Sequence, residues 1–139
     1  MTKLDAQVTA HLGMIQGVIV RMGANTFALK AMAITIAAAV IALAGARPEG
    51  MEHYPLIGLL PALLFWAMDA RYLHIEKCYR KLYNTIRTGG DVDSFSMDYK
   101  PFQNEVDSTI KIIFCNWSVT PFFASISLAL IASYCFLKY

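Results

Sequence analysis

The chain has 139 residues, of which 57% are hydrophobic and 16% are charged. Soluble domains average about 45–50% apolar and about 25% charged residues, so this composition excludes an ordinary water-soluble domain. The excess apolar surface requires contact with lipid or with a very large partner. The formal net charge of +2 is too small to indicate any charged partner for the chain as a whole.

The first predicted element is an amphipathic helix over residues 3–24. Its apolar residues recur at steps of three and four, as they do on one face of a helix. They are Leu4, Val8, Leu12, Ile15, Ile19 and Met22. The polar residues among the first 25 positions argue against a secretory signal. We expect this helix to lie flat on the inner leaflet or to pack against its own copies, with Asn25 or Thr26 capping the helix that follows.

The first predicted transmembrane helix covers residues 27–46. Twenty residues of helix span about 30 Å, which is enough to cross the hydrocarbon core of a bilayer. Lys30 lies near one end of this run, from which its side chain can reach the head groups. The run is rich in alanine, and small residues mark close helix contacts in membranes. We therefore expect this helix to face mainly other helices.

Two further transmembrane helices are predicted in the remainder of the chain. The second covers residues 54–88: its apolar part, interrupted by Pro61, continues as a more polar helix that projects several turns beyond the bilayer. An acidic connector over residues 89–110 begins with a pair of glycines. The third transmembrane helix covers residues 112–137, and Pro121 is expected to kink it.

Basic residues predict the orientation. They are concentrated in residues 1–30 and 70–111, whereas the loop over residues 45–53 carries only Arg47 beside two glutamates. Because basic segments tend to remain on the cytoplasmic side, both basic regions are predicted to be cytoplasmic. The predicted fold is thus an all-α integral membrane protein with a cytoplasmic N-terminus. It has three transmembrane helices preceded by an N-terminal amphipathic helix, and the second projects into the cytoplasm. If residues 3–24 also crossed the membrane, the C-terminus would return to the cytoplasm.

Polar residues share one face of the third predicted transmembrane helix. They are Asn116, Thr120, Ser127 and Tyr134, at steps of four and seven. A stripe of this kind is unfavourable against lipid, so it should face other helices or water. One interpretation is the lining of a pore built by several copies. The other is hydrogen bonding between helices or to the backbone of the same helix.

Asp69 is an acidic residue near the inner boundary of the second predicted transmembrane helix. Its predicted partners are Lys30, Arg21 or Lys111, which are expected at a similar depth. With Lys30 it forms a candidate gating charge that senses protons or opens a pore. The alternative is a structural ion pair at the level of the head groups.

The projecting helix carries an apolar seam and a set of basic and polar residues. The seam, formed by Tyr72, Ile75, Tyr79, Leu82 and Ile86, predicts packing against another helix, for example in a second copy. The candidate ligand or gate residues are Lys77, Arg80, Lys81, Asn84 and Arg87. In an oligomer they would form a ring that binds anionic lipid, nucleotide or single-stranded nucleic acid. Alternatively, the acidic connector neutralises them within the fold.

Catalytic and metal-binding patterns are missing from the sequence. The histidines fall in different segments, and none of the short hydrolase, nucleotide-binding or zinc-protease motifs occurs. Three widely spaced cysteines, Cys78, Cys115 and Cys135, fit neither a disulfide framework nor a zinc site. We therefore expect no enzymatic activity, no cofactor and no metal.

Two segments resemble a known group of proteins. Residues 14–36, MIQGVIVRMGANTFALKAMAITI, and residues 62–83, ALLFWAMDARYLHIEKCYRKLY, are similar to small bacterial membrane effectors of anti-phage defence of the Hailong type, which are encoded beside nucleotidyltransferases. The resemblance implies a homo-oligomeric channel in the bacterial inner membrane, controlled by a nucleotide-derived ligand, that depolarises this membrane during infection. No functional residue is carried over from it.

The sequence supports two functional hypotheses. The first is a homo-oligomeric ion channel or pore-forming effector, gated at its cytoplasmic side by an anionic, nucleotide-derived ligand. Its partners would be the lipid bilayer, further copies of the chain, and a nucleotide or oligonucleotide or the nucleotidyltransferase that makes it. The alternative is a non-conducting membrane anchor or regulatory subunit that recruits a cytosolic partner through residues 71–111.

Overall fold

The computed structural model describes residues 3–46, 53–90 and 95–138, with side chains described from residue 6 onward. The regular structure in these ranges is helical. The helices are α1 (Lys3–Ala46), α2 (Tyr54–Ile57), α3 (Leu59–Arg87), α4 (Thr109–Cys115) and α5 (Thr120–Lys138), with a 3-10 turn at Lys100–Phe102. Three stretches are long and apolar enough to cross a membrane: Ala6–Ala46, Tyr54–Arg87 and Thr120–Lys138. The prediction of an all-helical protein with three helices of this kind is confirmed.

Helix α1 is continuous over 44 residues, or about 66 Å. The helix break predicted at Asn25 or Thr26 is therefore wrong. Instead of capping a new helix, the Thr26 hydroxyl donates to the carbonyls of Met22 and Gly23 inside α1, at 3.1 and 2.8 Å. Between the buried residues Ile19 and Leu29, the half-buried Met22, Gly23 and Thr26 continue the inner face of the helix.

The second predicted helix is interrupted one turn before its proline. Helix α2 ends at Ile57 and α3 begins at Leu59. Pro61 has no N–H to donate to the carbonyl of Ile57, and its ring crowds that carbonyl. The resulting break falls at Gly58, where an added Cβ would lie 3.1 Å from Leu130 Cδ2 and 3.4 Å from Val40 Cγ1. Glycine thus permits close packing of α1 and α5 against this turn.

The third predicted transmembrane helix is two helices. Helix α4 ends at Cys115, and α5 begins only at Thr120, so the predicted continuous helix over residues 112–137 is wrong. Asn116 adopts an extended backbone, and its side-chain Oδ1 accepts a hydrogen bond from the Ser118 N–H at 2.9 Å. Pro121 cannot donate to the carbonyl four residues earlier, which favours a new helical start over a kink.

The long helices α1 and α3 pack against each other along two differently composed halves. The apolar half consists of residues 27–46, 53–70 and 109–138, where α5 completes the core. The buried residues of its hydrophobic core are Ala33, Ala37, Ala62, Ala70, Ile112, Val119, Phe123, Ile126 and Leu130. The polar half consists of residues 3–26, 71–90 and 95–108, where the connector completes the core. The buried residues of its hydrophobic core are Ile15, Ile19, Cys78, Leu82 and Phe102. The predicted seam of the projecting helix therefore finds its partners, α1 and the connector, within the same chain.

Candidate functional site

A buried ion pair lies where the two halves meet. Lys30 of α1 places its Nζ 2.5 Å from Oδ2 of Asp69 in α3. The Asp69 side chain is fully buried, whereas that of Lys30 remains 20% exposed. Of the three partners expected for Asp69, the structure brings Lys30 into contact. Lys111, another of the three, instead pairs with Asp107 at 2.6 Å.

One aromatic ring lies beside this ion pair, and an aromatic stack lies one helical turn away. The Nζ of Lys30 lies 5.8 Å from the ring centroid of Phe122 in α5. Three residues before Asp69, the Trp66 ring stacks on Phe123 with centroids 6.1 Å apart, and its Nε1 donates to the carbonyl of Ile113 at 3.1 Å. Helices α1, α3, α4 and α5 therefore meet in one layer around the pair.

The ion pair is incompletely satisfied. Oδ1 of Asp69 is buried and has no hydrogen-bond partner among the described residues. A buried carboxylate is strongly unfavourable without a compensating charge, so Lys30 is needed wherever Asp69 is ionised. The arrangement can hold a charge across helices.

The four residues of the predicted polar stripe do not share one helical face. Asn116 lies in the turn before α5 and is therefore out of register with the other three. The Thr120 hydroxyl donates to the carbonyl of Ile113 at 3.0 Å, where it satisfies a group freed by the end of α4. The Ser127 hydroxyl is buried without a partner among the described residues, and the Tyr134 ring lies 5.7 Å from that of His53. Their role as a pore lining stays a prediction.

The predicted ligand residues on α3 are largely engaged within the chain. Lys77 pairs with Asp107 at 2.8 Å, and Lys81 pairs with Glu105 at 3.2 Å. Arg80 pairs with Glu76, one turn earlier on the same helix, at 2.6 Å. The other two predicted residues, Asn84 and Arg87, are exposed. These contacts favour the alternative in which the acidic connector neutralises the basic helix.

Asp107 accepts from two lysines at once. Hydrogen bonds from Lys111 and Lys77, together with their positive charges, lower its pKa from 3.8 to about 2. The same contact raises the pKa of Lys111. Asp107 thus joins the extension of α3 to the start of α4, and this junction is charged at neutral pH.

Two buried histidines also attach the connector to the helices. A ring nitrogen of His11, which is 3% exposed, lies 3.1 Å from the carbonyl of Ser96. The Nδ1 of His74 lies 2.9 Å from the carbonyl of Asp107 and must carry the proton to donate to it. The sequence predicts no role for either histidine, because their partners are backbone carbonyls that no motif reveals.

Comparison with known proteins adds no relative. No family model matches the chain, and neither the curated proteins nor the solved structures contain a match to it. The candidate site therefore has to be interpreted from the contacts themselves.

A second feature, only partly predicted from the sequence, is an exposed face of small residues on α1. It comprises Ala24, Ala28, Ala31, Thr35, Ala38, Ala42 and Gly45, at alternating steps of four and three. This outer face lies opposite the buried residues Ala33, Ala37 and Ala44, which pack within the chain. The spacing was visible in the sequence. Only the packing of α1 shows that one of its two small-residue faces has no partner among the described residues.

Proposed function

We propose that this protein is a homo-oligomeric ion channel whose copies associate through the outer face of α1. The observation that carries the proposal is that this face remains uncovered along the whole apolar part of the helix, from Ala28 to Gly45. At Gly45 an added Cβ would meet nothing within 4 Å. The opposite face of the same helix is already buried against α3 and α5.

Small residues on a membrane helix indicate a close helical neighbour. Lipid tails are as apolar as leucine, so a helix facing lipid gains nothing from alanine, whereas a helix contact gains from the close approach that alanine permits. Another copy of the chain supplies a helix of matching shape. We therefore assign the outer face to contacts between copies.

Two observations favour a channel over a closed oligomer: the small number of membrane-length helices in one copy, and one polar residue on the outer face. Three membrane-length helices are too few to enclose an aqueous path, so several copies would have to surround it. Thr35 is the one polar residue on the outer face between Ala28 and Gly45. Its hydroxyl donates to the carbonyl of Ala31 at 2.9 Å and retains lone pairs. These can face water or an ion where the outer faces of several copies converge around a central path.

The proposal also covers the orientation of the protein in the membrane and the control of the channel by a ligand. The basic residues favour a polar half that lies in the cytoplasm of a bacterium, with the N-terminus on that side. A role in anti-phage defence, and a nucleotide-derived ligand, are supported by the resemblance alone. The ion pairs of Lys77, Arg80 and Lys81 leave these residues less available to such a ligand. They also weaken the alternative of an anchor that recruits its partner through residues 71–111.

Ion flux through liposomes containing the purified protein tests the channel. We expect flux in the native protein, a several-fold loss in Thr35→Leu and near-native flux in Thr35→Ser. Ser125→Leu is the matched control, because Ser125 is also exposed and bonds to a carbonyl of its own helix, at 2.8 Å. Liposomes that stay impermeable with correctly folded native protein would rule out a constitutive channel and favour the anchor.

Cysteine cross-linking tests the contact between copies. In a variant whose three native cysteines are replaced, Ala38→Cys on the outer face should form disulfide-linked dimers in the membrane. Leu63→Cys is the control, since Leu63 is 51% exposed on α3, away from that face. Equal cross-linking at both positions, or none at Ala38→Cys, would contradict the assignment of the interface.

A further inference from the structure

Large apolar side chains project from α4 and from the turn that follows it. Ile110 is 71% exposed, Phe114 is 67% exposed and Trp117 is 90% exposed. Ile110 and Phe114 lie four residues apart, so they share one face of α4. Such exposure is costly in water, and Trp117 is a residue type enriched at membrane interfaces.

Helix α4 is held firmly in place despite these exposed residues. Ile112, on its inner side, is 1% exposed. The carbonyl of Ile113 accepts hydrogen bonds from Trp66 Nε1 at 3.1 Å and from Thr120 Oγ1 at 3.0 Å. At the start of α4, the Ser108 side chain accepts from the Lys111 N–H. The projection of the apolar side chains is thus built into the packing.

Helix α4 lies between a charged part and an apolar part of the structure. On one side, Asp107 connects Lys77 and Lys111 in the polar half. On the other side, α5 begins at Thr120 and runs through the apolar half. The bond from Trp66 to Ile113 places α4 in the same layer as the Lys30–Asp69 pair.

We propose that α4 and the following turn bind the head-group region of one leaflet, with Ile110, Phe114 and Trp117 inserted at the acyl boundary. The occupant is lipid because these residues lead directly into a membrane-length helix. An amphipathic helix at such a boundary buries its apolar face in the interfacial plane. The Lys30–Asp69 pair then lies at head-group depth rather than at the centre of the bilayer. This inference does not depend on the channel proposal.

Fluorescence of Trp117 in liposomes tests the depth. The chain has two tryptophans, so Trp66→Phe leaves Trp117 as the sole emitter. Lipids that carry a bromine or nitroxide quencher near the head group should quench Trp117 more strongly than lipids quenched near the acyl terminus. Aqueous iodide should quench it several-fold less than it quenches tryptophan amide in water. Because Trp66 makes a hydrogen bond, the difference between native protein and Trp117→Phe repeats the measurement with Trp66 in place.

Two calibration variants, each without the native tryptophans, define the extremes of depth. Leu128→Trp on α5, where Leu128 is 67% exposed, should respond most to the deep quencher. Phe95→Trp in the polar half, where Phe95 is 49% exposed, should respond to iodide. Trp117 that behaves like either variant would overturn the proposal. So would Trp117 protected from all quenchers, since another protein surface, such as a second copy, would then cover it.

Discussion

The two halves of the molecule share the helices α1 and α3 but are packed by different residues. In the apolar half, the buried core residues that α1 and α3 contribute are alanines: Ala33, Ala37, Ala62 and Ala70. In the polar half, the core is formed by larger side chains: Ile15, Ile19, Cys78, Leu82 and Phe102. Burial of large apolar groups drives packing in water, whereas close approach of small groups drives it in lipid. The difference therefore indicates where the solvent changes along two continuous helices.

Charge distinguishes the halves in the same way. The ion pair of Lys81 with Glu105 in the polar half leaves both side chains about half exposed, at 48% and 50%. Pairs of this kind contribute little to stability. The pair of Lys30 with Asp69 has a fully buried carboxylate. We therefore expect the halves to respond very differently to matched substitutions.

The largest difference should come from breaking the buried ion pair. Lys30→Met leaves Asp69 buried without its counter-charge, which should cost about 3–5 kcal/mol of unfolding free energy. Asp69→Asn should cost less, because Lys30 is 20% exposed and its flexible chain can carry the ammonium to the head groups. Denaturant titration in detergent micelles measures both. Equal costs for the two substitutions would contradict this asymmetry.

Two variants serve as controls for that result. Lys30→Met combined with Asp69→Leu removes both charges, so it should recover most of the lost stability. Lys81→Met removes a lysine from an exposed pair, so it should change the unfolding free energy by less than about 1 kcal/mol. A large loss of unfolding free energy in Lys81→Met would mean that the exposure of an ion pair does not predict its contribution to stability.

A matched leucine pair tests the cores. Leu82 in the polar half and Leu130 in the apolar half are both fully buried. Leu82→Ala should cost about 2–5 kcal/mol, which includes transfer from water and the cavity left behind. Leu130→Ala should cost roughly half as much, because the transfer contribution is small in lipid and mainly packing is lost. The same titration measures both, with helicity checked by circular dichroism. A greater loss for Leu130→Ala would contradict the proposed difference in driving force.

Neighbouring alanines on α1 test its two faces. Ala37 is buried at 7% exposure, so Ala37→Leu should overpack the core and cost about 1–3 kcal/mol. Ala38 is exposed, so Ala38→Leu should leave the stability of one copy within about 0.5 kcal/mol of native. It should nevertheless reduce association between copies, measured by energy transfer between labelled chains in liposomes. Unchanged association in Ala38→Leu would count against the outer face as an interface.

Hydropathy and periodicity predict much of this fold from sequence. The apolar runs predict three membrane-length helices, and the seam through Leu82 predicts a helical partner for the extension of α3. The positions of the breaks are harder to predict. Pro61 and Pro121 mark them, but each break falls before the proline, at the carbonyl that the proline cannot bond. At Thr26 a predicted break does not occur. A residue type that often caps helices can also lie inside a helix and bond to the backbone of that helix.

The candidate site is only partly predictable for a related reason. Charged residues at the ends of apolar runs suggest a pair between Asp69 and one of three basic residues. The choice of Lys30 depends on how α1 and α3 are aligned, which local patterns do not determine. The same alignment decides which alanines of α1 face inward. The role of α4 depends on the break after Cys115, which turns the start of a predicted transmembrane helix into a separate segment.

The smallest change in stability is expected from protonation of Asp107 in the polar half. Asp107 has a folded-state pKa of about 2, below its ordinary value of 3.8, because Lys111 and Lys77 stabilise its ionised form. The lowered pKa means that its contribution to stability is complete above about pH 4 and is lost as the pH falls towards about 2. Between pH 8 and 5 the charge of Asp107 should therefore not change. Carbon-detected nuclear magnetic resonance of the Asp107 carboxyl measures its titration directly.

Two lysine substitutions test the cause of the lowered pKa of Asp107. Lys77→Met and Lys111→Met each remove one donor and one positive charge from Asp107, so each should raise its pKa towards 3.8, and together they should restore it. Lys81→Met is the control, because Lys81 pairs with Glu105 instead. High salt should shift the native value in the same direction as the lysine substitutions, since the partners are partly exposed. A carboxyl that titrates near 3.8 in the native protein would show that the connector is not held by Asp107 in solution. The polar half would then depend on its apolar core and on the two buried histidines.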